Sequence, residues 1–368
     1  MGQVTGRILA QAEDITWLRV DVGLPMAARR EAARLAHRVG LDGSRGSAVE
    51  LAVTEAATNL QKHATDGSVA LRVVRAGPLA AVEFVATDTG PGIADVARVM
   101  VDGTSSTGSL GLGLGSIVRL ADVFDIHTVR GRGTTVLAQF WAEGRVPSPP
   151  PAGIDTGGLT RPIGGEEVCG DTWAIRTAGT RPPAEEAEEG AEKEAEAADA
   201  PEPVVAMMCD GLGHGPQAAR AANAAREAFR DSPHTQPARI LDDLHRALRG
   251  TRGAAVAVAA VDLAAGRVDF CGVGNVSTVL VRDDRRTSLL SAPGIVGHHL
   301  PRMRPFTAPF PAGSVLVLHT DGLSDRWEPR AFPGLFARRA TVVSAQILRE
   351  AGGRRDDVGV LALKAARR

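Results

Sequence analysis

In the second half of the chain, carboxylates recur at the ends of apolar runs. Val204-Val205-Ala206-Met207-Met208-Cys209 runs into Asp210-Gly211-Leu212-Gly213-His214-Gly215, and the apolar run 314–319 leads to Thr320-Asp321-Gly322. Asp171 follows a glycine-bearing loop at 164–170, and the pair Asp356-Asp357 precedes the final apolar run, 358–363. In each case a strand would deliver a carboxylate to a turn, and glycine lets backbone carbonyls approach a ligand closely. Taken singly, each also reads as a turn former or a helix cap. Four carboxylates brought together without cations would repel one another, and a divalent metal resolves that cost. Oxygen-only donors favour Mg2+ or Mn2+ over zinc, and two such ions about 3.5–4 Å apart can activate water and clamp a phosphoryl group. His214, inside the second motif, is either a proton donor to a leaving hydroxyl or a residue of the helix start.

The first half carries a different chemistry. Glu55 and Asn59 are spaced i, i+4 on a helix expected over 44–64, so they share one edge of it. Two expected strands, 68–75 and 80–87, end in Asp88-Thr89-Gly90-Pro91-Gly92. A glycine-rich loop, 108–115, then opens an apolar helix expected to reach about 124. Such a loop offers backbone N–H groups and the positive end of a helix to phosphate. Around these lie one or two strands in 5–22, a helix from Pro25 to about 39, a short helix at 94–100 and two strands at 125–129 and 134–141.

This ordered set resembles the GHKL ATPase superfamily over about residues 5–142, and within it the RsbT/RsbW-like serine/threonine kinases of bacterial sigma-factor switches. The resemblance implies a Bergerat α/β sandwich with a mixed sheet that binds ATP and Mg2+. It implies that Asn59 holds the Mg2+ bridging the phosphates and that Glu55 is general base toward an incoming hydroxyl. Asp88 would accept from the adenine amino group with Thr134 assisting, Gly90 and Gly92 would admit the base, and Gly111, Gly113 and Gly115 would cradle phosphate.

The later order G-D, D-G-x-G-H-G, G-x-G-N, T-D-G, D-D resembles the PPM-type metal-dependent serine/threonine phosphatases in their SpoIIE/RsbX-like branch, over about 158–366. That implies an α-β-β-α sandwich of antiparallel sheets and hydrolysis of phosphoserine or phosphothreonine with two Mn2+ or Mg2+ ions. By that resemblance Asp210 bridges both ions and the Gly211 carbonyl binds one. Asp321 and Asp356 complete the other, and Asp171 helps to hold the pair. Asp356 is taken over Asp357 because it comes first in the pair. The arginine with which other branches hold phosphate has no recognisable counterpart here.

The implied organisation is two α/β domains: an ATP-binding, kinase-like domain at 1–143, a proline-rich linker at 144–157, and a phosphatase domain at 158–368. The last is interrupted by an Ala/Glu-rich insertion at 181–203, too polar to bury a core. A net charge of −1 gives no sign of nucleic-acid binding. No apolar leader and no run long enough to span a membrane is found, and Cys169, Cys209 and Cys271 form no CxxC pattern, so a reduced cytosol is expected. By resemblance the partner is a STAS-domain antagonist protein and, behind it, a sigma factor or stress regulator; the oligomeric state is left open, a dimer included. Two other readings compete: a phosphatase regulated by an ATP sensor, and an anti-sigma-like binding module. Glu55 favours transfer over sensing, because binding alone needs no base.

Overall fold

The computed structural model describes residues 7–100, 113–147, 153–164, 166–178, 202–353 and 355–365. The chain forms two compact units, one of residues 13–148 and 327–351, the other of 1–12, 149–326 and 352–368. This is not a simple cut at the proline-rich stretch. The first residues join the phosphatase-type unit, and a segment from the phosphatase half joins the ATPase-type unit.

In chain order the strand β1 (Ile8–Gln11) comes first, followed by β2 (Thr16–Arg19), α1 (Leu24–Arg38), α2 (Gly43–His63), β3 (Ser68–Ala76) and β4 (Leu79–Thr87). Then come α3 (Val96–Met100), α4 (Leu114–Leu120), β5 (Val123–Val129) and β6 (Gly133–Trp141). The sheet of this unit has the order β2-β3-β4-β6-β5. Every pairing in it is antiparallel, which corrects the expectation of a mixed sheet. The reason is strand order: β6 returns between β4 and β5, so the two strands that run in the same direction never pair.

The apolar stripes legible in the sequence form the core of this unit. Ala28, Ala32 and Leu35 of α1 and Val49, Ala52, Val53 and Ala57 of α2 pack with Val69, Leu71 and Phe84 of the sheet. Pro25 sits in the first turn of α1, where its missing N–H costs nothing, and Gly40, at φ +74, ends it. Helix α4 stops at Leu120, short of the expected 124. The Asp122 carboxylate accepts from the Trp141 backbone N–H at 2.7 Å and from Arg45, and this ties the chain into the edge strand instead.

The other unit contains β7 (Ile154–Arg161), β8 (Asp171–Thr177), β9 (Val204–Gly211), α5 (Pro216–Asp231), α6 (Pro237–Ala247), β10 (Ala254–Asp262), β11 (Arg267–Val273) and β12 (Ser277–Arg282). It is completed by β13 (Arg285–Leu289), β14 (Phe306–Pro309), β15 (Val315–His319) and β16 (Val358–Ala365). Two antiparallel sheets, β1-β8-β9-β10-β11-β14 and β13-β12-β15-β16-β7, pack through Trp173, Ile175, Met208, Phe270, Leu316 and Leu361. Helices α5 and α6 cover the far side of the first sheet through Ala221, Ala225, Phe229, Ile240 and Leu244. Strand β7 begins at Ile154, inside the stretch expected to be linker, because its pairing with β16 recruits residues whose own pattern is weak. In the same way β1 is captured by the free edge of β8. Strands β13 and β14 had no sequence signal strong enough to name them.

Helix α7 (Ala340–Ala351) leaves the phosphatase half of the sequence and packs on β4, β5 and β6. That explains why β4 is buried along nearly its whole length: α1 and α2 cover one face and α7 the other.

Candidate functional sites

The antiparallel register of β8 and β9 sets Asp171 directly opposite Asp210. Asp171 is buried, and its Oδ2 accepts a 2.7 Å hydrogen bond from the Thr320 hydroxyl. Burial, then the Asp210 carboxylate, pushes its pKa well above the usual range, and only the Thr320 bond opposes this. Asp210 is pushed up to about 7 by burial, then by the charges of Asp321, Asp356 and Asp357. Asp321 is raised by burial and by Asp356, while Asn275 Nδ2 donates to its Oδ2 at 2.6 Å. The largest influences raising these three carboxylates are burial and the charges of neighbouring aspartates.

The Asp356-Asp357 pair divides its work. Asp357 is buried, and each of its oxygens accepts a backbone N–H, from Ile163 at 2.7 Å and from Gly170 at 2.7 Å. It staples the loop ahead of β8 to the start of β16. Asp356 is exposed, and its Oδ1 accepts the adjacent backbone N–H of Asp357 at 2.9 Å. The motif glycines answer to close backbone approach. A Cβ on Gly211 would stand 2.4 Å from the Ala218 carbonyl oxygen, and one on Gly322 would stand 1.9 Å from that of Asp357. His214 Nδ1 lies 3.2 Å from Glu166 Oε1, a partner that the sequence did not suggest. Arg252 Nη1 comes within 3.0 Å of where a Cβ on Gly213 would be, so an arginine does border this motif.

Thr320 of the T-D-G motif and Asn275 of the G-x-G-N motif are the hydrogen-bond partners of Asp171 and Asp321. Among the described residues, no group of three or more His, Cys, Asp or Glu side chains is set to hold a metal ion as it stands. The donor set nevertheless fits divalent cations: it is oxygen only and mutually repelling. The three cysteines are free, and burial pushes the thiols of Cys169 and Cys209 far up, so neither is poised as a nucleophile.

In the ATPase-type unit, Glu55 and Asn59 lie one turn apart on α2, the helix expected for them, and both are half-buried. Burial raises the Glu55 pKa, against the charge of Lys62 and a hydrogen bond from Asn59. Asp88, at the end of β4, is buried and accepts from Gly90 N–H at 2.7 Å. Burial pushes its carboxyl up, opposed by the Gly90 bond and then by the charge of Arg349. The turn is tied to the segment after α2, Thr89 N–H donating to the Thr65 carbonyl at 2.8 Å.

Thr134 meets Asp88 through the backbone, its carbonyl accepting from Asp88 N–H at 3.0 Å. Its hydroxyl lies 3.0 Å from that of Thr128. Gly92, at φ +71, and Gly133, at φ +87, close the turn; a Cβ on Gly133 would stand 1.9 Å from the Asp88 carbonyl oxygen. Gly133 thus packs directly on the Asp88 turn, a placement the sequence signalled only as the Gly131-Arg132-Gly133 turn. Gly113 precedes α4 and Gly115 lies buried in its first turn, and α4 packs on α2, the helix of Glu55 and Asn59. Gly111 lies outside the described residues.

Two family models match the chain: histidine kinase-like ATPase domain over residues 22–140, and stage II sporulation protein E over residues 200–365. The serine/threonine-protein kinase RsbT of Bacillus subtilis is 34% identical over 116 residues, 32% of this chain and 87% of that protein. The phosphoserine phosphatase RsbX of the same organism is 24% identical over 122 residues, 33% of this chain and 61% of that protein. Among solved structures, RsbX in complex with magnesium is similar, at 20% identity and a TM-score of 0.45, over 57% of this chain and 94% of that one. No helix among the described residues is long and apolar enough to cross a membrane.

Proposed function

Because this chain belongs to the RsbT family of histidine kinase-like ATPases through its first domain and joins to it a SpoIIE-type phosphatase domain, we propose that it works a phosphorylation switch in both directions, adding phosphate to and removing it from serine or threonine on a partner protein.

In the phosphatase unit, Asp210, Asp321, Asp356 and the Gly211 carbonyl would hold two divalent ions, with Asp171 locked behind them by Thr320. The ions, when bound, supply positive charge that activates water and steadies the phosphoryl oxygens. The chain's own contribution is placement. The β8–β9 register fixes Asp171 against Asp210, Asn275 orients Asp321, and Asp357 holds the loop so that Asp356 faces solvent. In the ATPase unit, Asn59 would hold Mg2+ on the ATP phosphates, Asp88 would accept from adenine, and Gly113 and Gly115 would line the phosphate path. Glu55 would take the proton of the incoming hydroxyl; a carboxyl raised by burial is better matched to that task than an exposed one. The partner class that fits is a STAS-domain antagonist in a stress or sigma-factor pathway.

The observation that carries the phosphatase reading is the convergence of Asp171, Asp210 and Asp321, with Asp171 and Asp210 both pushed up by burial and by neighbouring carboxylates. The test is incubation with γ-labelled ATP and candidate STAS proteins. Label should pass to the partner with the wild type and with Asp210→Ala, but not with Glu55→Gln. Release of label from a partner phosphorylated beforehand should fail in Asp210→Ala and proceed in Glu55→Gln. Intact ATP binding without transfer to any partner would leave the first domain a nucleotide sensor.

A further inference from the structure

The segment 327–351 lies between two aspartates assigned to the phosphatase site, Asp321 and Asp356, yet it packs with the ATPase-type sheet. Its attachments there are specific. Arg349 Nη1 donates to the backbone carbonyl of Asp88 at 2.7 Å, with the arginine side chain only 6% exposed. The Thr135 hydroxyl donates to Gln346 Oε1 at 2.7 Å, both residues being buried. His127 Nε2 donates to the Pro333 carbonyl at 3.1 Å, and Arg132 Nη1 donates to that of Ala331 at 2.8 Å. The Arg132 guanidinium also pairs with Glu350 and stacks over the Phe332 ring at 5.2 Å.

The two ends of this excursion are tied to each other. Leu323 and Gly352 form an antiparallel bridge, and Gly353 N–H donates to the Gly322 carbonyl at 2.8 Å. Gly322 is itself so close to the Asp357 backbone that a Cβ would overlap it at 1.9 Å. The segment therefore leaves and re-enters at one tightly packed point, bounded by Asp321 on one side and Asp356 on the other.

We propose that Arg349 is a positioning residue through which nucleotide bound at Asp88 sets the rate of the phosphatase site, with 327–351 as the connecting element. This rests on the reading of Asp88 as the adenine-binding carboxylate. The Asp88 turn is shared: its side chain serves the nucleotide and its carbonyl holds Arg349. A ligand that prefers one placement of that turn prefers one placement of α7, and it shifts the population by that difference in affinity alone. Packed elements shift between discrete arrangements rather than deforming smoothly, so a small change at Asp88 reaches the pinned ends of the segment. There it alters the separation of Asp321 and Asp356.

The test uses the full chain with p-nitrophenyl phosphate as substrate in excess Mn2+, with and without a non-hydrolysable ATP analogue. Binding of a fluorescent ATP analogue is measured in parallel. The hydrolysis rate of the wild type should change about fivefold or more on saturation with nucleotide, within the usual range of coupling between sites. The response should vanish in Asp88→Asn, which a nucleotide acting directly at the phosphatase site would survive. It should fall to near unity in Arg349→Ala and be reduced in Gln346→Ala, whose smaller change guards against a folding defect in the first variant. Nucleotide binding to the wild type with no change in rate overturns the proposal. So does a response that persists undiminished in folded Arg349→Ala. Failure of the wild type to bind nucleotide at all overturns instead the ATP-site reading on which the proposal stands.

Discussion

Replacing Asp210 by asparagine should stabilise the metal-free protein while abolishing its phosphatase activity. The carboxyl of Asp210 is held at about 7 against an ordinary 3.8, by burial and by the charges of Asp321, Asp356 and Asp357. At about 1.4 kcal/mol per pH unit this is a ceiling of about 4 kcal/mol. Neighbouring carboxylates share the same repulsion, so about 2–4 kcal/mol is expected. Because the folded pKa is raised, the folded state gains by keeping the proton. The contribution is fully favourable below about pH 4 and is lost as pH rises through about 7. Asparagine has nearly the same shape, can donate to Asp321, and carries no charge to lose. In EDTA at pH 8 the variant should therefore melt higher than the wild type by roughly 4–16 °C, taking about 2–4 °C per kcal/mol for a unit of this size. At pH 4.5 the two should converge. Calorimetry at both pH values, followed by addition of Mn2+, is the assay; the ion should raise the wild type strongly and the variant weakly. A variant less stable than wild type at pH 8 in EDTA, or one stabilised equally by Mn2+, would refute the claim that these carboxylates are destabilising until a cation joins them.

Asp356→Ala should lose metal-dependent hydrolysis with little change in metal-free stability, whereas Asp357→Ala, which strands the N–H groups of Ile163 and Gly170, should cost about 2–5 kcal/mol; urea unfolding separates the two. Glu55→Gln should bind a fluorescent ATP analogue within about threefold of wild type and transfer phosphate at least about a hundredfold more slowly. Gly133→Ala combines a positive φ with a clash against the Asp88 carbonyl. It should destabilise the ATPase-type unit by more than about 1–3 kcal/mol and abolish nucleotide binding, read by calorimetry and fluorescence.

Much of this molecule could be read from the chain alone, because its signals are local. Hydrophobic period placed α1, α2, β3, β4, β9 and β10 within a residue or two, and glycine-aspartate turns marked the ends of strands where carboxylates emerge. The order of the motifs in each half carried the resemblance to an ATPase-type and a phosphatase-type domain. What could not be read depends on residues distant in sequence. Which carboxylate of the D-D pair is tied to the backbone is invisible in the sequence; it is Asp357, which accepts the N–H groups of Ile163 and Gly170. Strand β7 forms because the edge of β16 recruits it, β1, one of the strands expected in 5–22, pairs with β8 rather than with the sheet of its own half, and α4 is cut short because Asp122 finds Trp141 and Arg45 across the unit. Helix α7 has an apolar character that suits any sheet. Only the fitted pairs Arg349 with Asp88, Gln346 with Thr135 and Arg132 with Ala331 decide which sheet receives it. Local sequence fixes the element and the groups it carries, whereas the partner is chosen by complementarity between surfaces that exist only once the chain has folded.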